Sequence, residues 1–195
     1  MTTAASPLAR PLAPDTRSRI LTAAQRLFRQ RGYHATGLAD ILQLAGAPKG
    51  SMYHHFPGGK EAIGVCVIEN ITEGLLGLLA ARRARSTEAM VLQVGAQMAT
   101  VMEKTSYELC TLFAAFAAER KTSPLLGEAV ARAYDALTSA IEQRLRSEGH
   151  APRAAKDTAL TVTALLEGGS MLSQAQQSTA AFRLSVKQAA LLCRA

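Results

Sequence analysis

The apolar positions of this 195-residue chain recur at intervals of three and four almost from end to end, the spacing that places them on one face of an α-helix. Ile20, Ala24, Leu27 and Phe28 mark a first helix, opened by the capping pair Asp15-Thr16 and closed by Gly32. Leu38, Ile41, Leu42 and Ala45 mark a short second helix that must stop at Gly46. Pro48 restarts the chain, because the first turn of a helix has no partner for the N–H that proline lacks. Residues 48–55 then form a third helix. Two short helices around a tight glycine turn make a helix-turn-helix.

From Glu61 to about Ala84 the ridge Ile63, Val67, Ile71, Leu75 and Leu78 predicts one long helix. Gly64, Gly74 and Gly77 each weaken it by about 1 kcal/mol relative to alanine, which suits either close packing or a bend. Four to six helices follow. Their stripes are Val91, Val94, Met98, Val101 and Met102 over about 87–104, then Leu109, Leu112, Phe113 and Phe116 over about 106–120. Val130, Tyr134, Leu137, Ile141 and Leu145 mark the helix from Ser123-Pro124 to Gly149. Pro152 opens another through Leu172, residues 176–179 turn the chain, and Phe182, Val186, Ala189 and Cys193 mark the last. No alternating β-branched run interrupts the pattern, so the fold is expected to be all-α, with about nine helices.

The faces of the third helix differ in chemistry. Met52 and Phe56, four apart, share its inward side. Lys49, Gly50, Ser51, Tyr53, His54 and His55 form a small, cationic, hydrogen-bonding surface with no apolar reason to be buried. Charge points the same way: residues 1–60 carry eight Lys and Arg against Asp15 and Asp40, a balance of +6 out of +7 for the whole chain. A polyanion is the natural partner, and a helix with such a face fits the major groove of double-stranded DNA. Arg17, Arg19, Arg26, Arg29 and Arg31 lie off the apolar stripe of the first helix, positioned to approach phosphates.

Other partners are disfavoured. The basic residues do not form a strip beside an exposed apolar face, and the longest strongly apolar stretch, Leu112 to Ala118, is far short of the roughly 20 residues a membrane-spanning helix needs. Residues 1–15, with three prolines, read as a flexible arm rather than a signal peptide. A cytoplasmic protein is expected. Cys66, Cys110 and Cys193 are odd in number and far apart, which fits buried reduced thiols better than bridges or a metal site.

Several local motifs together resemble the TetR/AcrR family of bacterial transcriptional regulators. Leu27-Phe28-Arg29-Gln30-Arg31-Gly32-Tyr33 is similar to the end of the family's first helix. Thr36 opens the next, Ala45-Gly46 closes it, and Lys49-Gly50-Ser51-Met52-Tyr53-His54-His55-Phe56 follows before Lys60-Glu61. Ala47-Pro48-Lys49-Gly50-Ser51, the extra glycine of Phe56-Pro57-Gly58-Gly59-Lys60-Glu61, and Glu167-Gly168-Gly169 resemble the LmrA/YxaF subgroup. The resemblance is sharp over residues 16–70 and thin beyond. It implies an operator bound by Lys49, Gly50, Ser51, Tyr53, His54 and His55, with Thr36 and Lys60 on phosphates. Ala39 stands where some relatives carry an arginine that adds base readout. The expected organisation is an arm over 1–15, a helix-turn-helix DNA-binding domain over 16–62, and a helical effector-binding and dimerisation domain over 63–195, connected by residues 63–84.

The second region holds no nucleophile elbow, phosphate-binding loop or histidine pair at ligand spacing. His54 and His55 diverge by roughly 100° on a helix, while His34 and His150 stand alone. No enzyme activity, metal or cofactor is expected. Met98, Met102, Tyr107, Phe113, Phe116, Tyr134, Leu137 and Met171 suit either an ordinary core or a roomy pocket. Periodicity does not separate the two. The resemblance implies a small, mostly apolar effector between these helices, drugs and plant phenolics for this subgroup. Glu167 is the polar group expected to orient such a ligand or to pair at a subunit contact. Leu184, Leu191 and Leu192 add a second apolar face to the last helix, and a helix apolar on two sides needs two partners. The small residues Gly168, Gly169, Ser170 and Ser173 allow close backbone approach, and the resemblance implies a homodimer in which the last two helices pair with their copies. The reading is a dimeric repressor released from a palindromic operator by its effector. The alternative is a ligand-independent DNA-binding protein with a solidly packed helical domain.

Overall fold

The computed structural model describes residues 15–80, 84–107 and 112–194. Residues 1–14 of the expected arm, with Leu109 and Cys110, lie outside the described residues. Within them the chain is helical and contains no strand. The order is α1 (Thr16–Arg31), α2 (Leu38–Ala45), α3 (Lys49–His55), α4 (Gly59–Ala80), α5 (Thr87–Lys104), α6 (Leu112–Ala118), a 3-10 turn (Glu119–Lys121), α7 (Pro124–Ser147), α8 (Pro152–Gln176) and α9 (Ala180–Leu192).

The caps explain most boundaries. Asp15 accepts from the Ser18 N–H at 2.7 Å, satisfying a donor with no partner inside α1. Gly46 ends α2 in the left-handed region at φ 58°, where a Cβ would be strained. Ser86 caps α5, and Glu148 from the end of α7 accepts from Thr87 N at 3.0 Å and Thr87 Oγ1 at 2.8 Å. The stretch expected to be helical from residue 106 instead begins as a turn. Tyr107, at φ 63°, donates its N–H to Met102 O at 2.8 Å, closing α5.

Two apolar cores result. The first joins Ile20, Phe28, Ile41, Met52, Phe56 and Ile63 of the N-terminal helices to Phe116, Leu126 and Val130 of α6 and α7. The second joins Met90 and Val94 of α5 to Ile141, Leu145, Val162 and Phe182 of α7, α8 and α9. The head is thus packed onto the rest of the chain by shared core.

Helix α4 runs alongside both regions, and its glycines divide by use. A Cβ on Gly64 would lie 2.7 Å from Leu126 Cδ2, so that position is close packing, whereas Gly74 and Gly77 face no atom within 4 Å. By length and composition alone α4 also meets the test for a membrane span, at mean hydropathy 1.6, against the expectation that the longest apolar stretch lay in Leu112–Ala118. Ile63, Val67 and Ile68 in its N-terminal half are buried within the protein, Ile71 and Leu75 are half-buried, Leu78 is exposed, and Glu69, Asn70 and Glu73 are exposed too.

Small residues seat α9 on α8. A Cβ on Gly169 would meet Ser185 Oγ at 2.6 Å and the Phe182 backbone at 3.1 Å, and Ser173 Oγ accepts from the Phe182 N–H at 3.0 Å. These residues, expected to bring two copies together, make a contact within one chain. Cys66 and Cys193 are free thiols; Cys193 is buried as expected, whereas Cys66 is only half-buried.

Candidate nucleic-acid interface and ligand cavity

Helix α3 is held by its inward residues and offers the others. Met52 is fully buried and Phe56 nearly so. Lys49, Gly50, Tyr53 and His54 are exposed, with Ser51 and His55 half-buried beside them. Lys49 and Tyr53 share a concavity with Leu38, Ala39, Leu42 and Gln43 of α2, so the candidate surface spans both helices. Gln43 is a candidate that sequence reasoning did not include. It is exposed, lies four residues after Ala39 on the same face, and adds a donor and an acceptor. The signal was present in that spacing.

Two of the residues expected to contact phosphates bond the chain's own backbone instead. Thr36 is fully buried, and its hydroxyl donates to Gly32 O at 2.7 Å. It holds the turn after α1 rather than facing outward, and Gly37 caps α2 instead, its N–H donating to Asp40 Oδ2 at 3.2 Å. Lys60 sends its ammonium back to Tyr33 O at 2.9 Å and Thr36 O at 3.0 Å, over the Tyr33 ring at 4.2 Å from its centroid. Burial pushes its pKa below the ordinary lysine value, opposed by the charge of Glu119. Lys60 therefore clamps the start of α4 to the loop between α1 and α2. Replacing it with methionine should lower thermal stability by about 2 kcal/mol, the scale of hydrogen bonds from a charged donor, and leave the salt dependence of DNA binding unchanged. A salt slope reduced by about 1 would return Lys60 to the phosphate contacts.

The arginines of α1 are partly committed. Arg17 lies over the Phe56 ring at 5.5 Å, and Arg31 pairs with Asp40 at 3.8 Å across two exposed side chains.

A cavity of about 350 Å³ opens between α4, α5, α6 and α8, walled by residues that include Ile71, Leu75, Met98, Met102, Phe113 and Glu167. A second lobe of about 100 Å³ shares Leu75, Met98, Phe113, Glu167 and Ser170 with it and adds Tyr134 and Leu137. Of the nine residues proposed from the sequence, the structure brings together Met98, Met102, Phe113, Tyr134, Leu137 and Glu167. Tyr107, Phe116 and Met171 lie elsewhere. Tyr107 leans on the second core from the turn after α5. Met171 is 49% exposed on the outer side of α8. Phe116 is fully buried against the head, edge-on to Phe28 at 5.5 Å and to Tyr33 at 5.9 Å.

Glu167 is the acid of this cavity. Its Oε1 is shielded from solvent and has no hydrogen-bond partner. Burial raises its pKa above the ordinary 4.5, partly offset by the Tyr134 hydroxyl hydrogen-bonded to the carboxyl. Burial, then the neighbouring Glu167, raises the Tyr134 pKa strongly.

Helix α6 belongs to both sites. Phe113 faces the cavity and Phe116, three residues on, packs into the head. In the following turn the Glu119 carboxylate meets the His34 imidazole, in the loop between α1 and α2. Among the described residues no cluster of three or more metal-ligating side chains occurs.

Comparison with known proteins identifies the architecture. Residues 20–63 match the pattern of the bacterial regulatory proteins of the tetR family. Residues 87–188 match the C-terminal domain of the LmrA/YxaF-like transcriptional regulators. The HTH-type transcriptional regulator LmrA of Bacillus subtilis is 34% identical over 178 residues, covering 88% of this chain and 93% of its own. YxaF of the same organism, an HTH-type transcriptional regulator, is 30% identical over 92% of this chain and 96% of its own. A TetR transcriptional regulator from Legionella pneumophila superposes with a TM-score of 0.79 at 21% identity, over 91% of this chain and 98% of that one. The reduced form of Escherichia coli NemR does so at 0.72 and 23%, over 90% and 95%; both show a shared fold. The chain belongs to the tetR family of bacterial transcriptional regulators, as a DNA-binding protein with an LmrA/YxaF-like C-terminal domain.

Proposed function

We propose that the protein is a homodimeric repressor that leaves a roughly palindromic operator when a small, mostly apolar effector fills the cavity. The observation that carries this reading is the placement of Phe113 in the cavity wall and Phe116 in the head core on one seven-residue helix. A ligand that shifts α6 through Phe113 also disturbs the contacts of Phe116 with Phe28 and Tyr33 and the His34–Glu119 pair. The cavity also weighs against the alternative of a solidly packed, ligand-independent DNA-binding protein.

The expected pairing surface is the outer side of α8 and α9. Leu160 is 61% exposed and Leu184 is 59% exposed, with Met171, Leu172, Leu191 and Leu192 also open to solvent. Two copies paired there bury this face in a four-helix arrangement and set two reading heads about 34–36 Å apart or a multiple of that. Lys49, Gly50, Ser51, Tyr53, His54, His55 and Gln43 then face the groove. Release follows only from the effector's differential affinity for the two head spacings. A hundredfold loss of operator affinity needs about 2.7 kcal/mol of coupling.

The test is a mobility shift with DNA from upstream of the protein's own and neighbouring genes, in excess competitor DNA. A discrete dimer-sized complex at nanomolar protein, dissolved by apolar compounds, is the expected result. Equal, salt-sensitive binding to every fragment would defeat the reading.

Gly74 and Gly77 carry the conformational part of the proposal. With open space at both positions, alanine fits, and each Gly→Ala change should stabilise α4 by about 1 kcal/mol. In the double variant a stiffer α4 should hold the DNA-binding spacing, so operator affinity stays and more effector is needed for release. Unchanged release in a protein of raised Tm would remove this helix from the coupling route.

A further inference from the structure

We propose that the cavity selects lipophilic organic cations, the positive head meeting the Glu167 carboxylate beside the Phe113 and Tyr134 rings and the apolar body lying along α4 and α5. This rests on the effector-cavity reading above and names the class of effector.

A carboxyl group is an expensive component of an apolar wall unless something compensates it. Glu167 has one such interaction, with the Tyr134 hydroxyl, and its Oε1 has none. The walls do not supply the missing charge: among the described residues lining both lobes, the polar groups other than Glu167 are Gln97, Thr163, Ser170 and Tyr134, all neutral, with no lysine, arginine or histidine. A site built for a neutral apolar guest has no use for an acid. A site built for an anion would not place one there. The rings add to the preference, since Phe113 and Tyr134 meet edge to face at 5.6 Å between centroids and 78°, and aromatic faces attract cations, more strongly where water is excluded.

A cation favours the ionised acid. Because burial holds the empty site's carboxyl above its ordinary pKa, binding from solutions below that raised value must expel a proton. Cation affinity therefore rises as pH rises through it and levels off above. Tyr134, from α7, is the other titratable group among the described lining residues. Its raised pKa keeps it neutral throughout, and α4, α5 and α6 present none, so a single proton is involved.

The test compares phenyltrimethylammonium with its uncharged carbon isostere tert-butylbenzene, and with phenol as a neutral donor. The full chain and Glu167→Gln are titrated at several pH values while the methyl resonances of Met98 and Met102 report occupancy. Wild type should bind the cation at least about tenfold more tightly than the hydrocarbon. Glu167→Gln should lose about tenfold or more of that affinity, abolish its pH dependence and bind the hydrocarbon unchanged. Equal binding of cation and hydrocarbon, or a cation affinity indifferent to Glu167→Gln, overturns the proposal and leaves a cavity that works by apolar contact. Glu167-dependent binding of phenol without the cation overturns it in favour of a neutral hydrogen-bond donor. Methyl resonances that answer to no probe would remove the effector-cavity reading itself, and the proposal with it.

Discussion

Replacing Leu184 and Leu191 with aspartate should yield a folded monomer whose operator affinity falls by about three orders of magnitude, toward non-specific binding. Both side chains are open to solvent, at 59% and 45%, so the monomer loses no core by the change. The inward residues of the same helix, Phe182, Val186 and Ala189, keep it on α5 and α8. In a two-fold interface each substitution appears twice. Burying one leucine is worth about 1.5–3 kcal/mol, and four aspartates in place of four leucines add desolvation of charge to that loss. The effect on DNA follows from chelation, since the second head of a dimer is delivered at high effective concentration once the first is bound. Sedimentation equilibrium and mobility shift on one preparation check both halves. A dimer that persists would place the pairing surface elsewhere.

The second large effect is expected at the reading surface. Lys49→Ala and Tyr53→Ala should each weaken specific binding by about 1–3 kcal/mol per half-site, so a dimer carrying either change loses well over tenfold. Both side chains are exposed, and neither belongs to the first core, so the melting temperature should hold. The two changes should differ in salt dependence. Loss of the lysine charge lowers the slope if its ammonium meets a phosphate, whereas loss of a neutral tyrosine leaves it alone. Met52 is the control from the same helix. It is fully buried, and Met52→Ala should cost about 2–5 kcal/mol of stability. Wild-type operator affinity in both surface variants would mean that another face reads the DNA.

Local signals made most of the helix plan legible. Asp15, Gly46, Pro124 and Pro152 act within a turn of themselves, so their effect on boundaries can be read from neighbouring residues alone. The sidedness of α3 was legible for the same reason, because Met52 and Phe56 differ so sharply in chemistry from Lys49 and Tyr53. Contacts between residues distant in sequence were not legible. Lys60 meets carbonyls 24 and 27 positions away, and nothing in a basic residue beside a helix start distinguishes that clamp from a phosphate contact. Periodicity likewise marks Phe113 and Phe116 as apolar without saying that one borders empty space and the other the head. Met171 shows the converse error: an apolar residue on a helix with two apolar sides, assigned to the inner one. Glu167 stood out because its chemistry contradicts its neighbours, a contrast that survives without coordinates.

The division of labour along α6 bears on how such a protein acquires new inducers. Gln97, Met98 and Val101 of α5 line the cavity, and none of them belongs to the core that seats the head. On the effector-cavity proposal, substitutions there should change what fits while leaving the α6 contacts with the head in place, so ligand preference would drift by single steps while operator choice stands still. A biosensor library randomised at these three positions, with Phe116, Gly64 and Lys60 held fixed, should therefore return variants that answer to different compounds through an unaltered promoter.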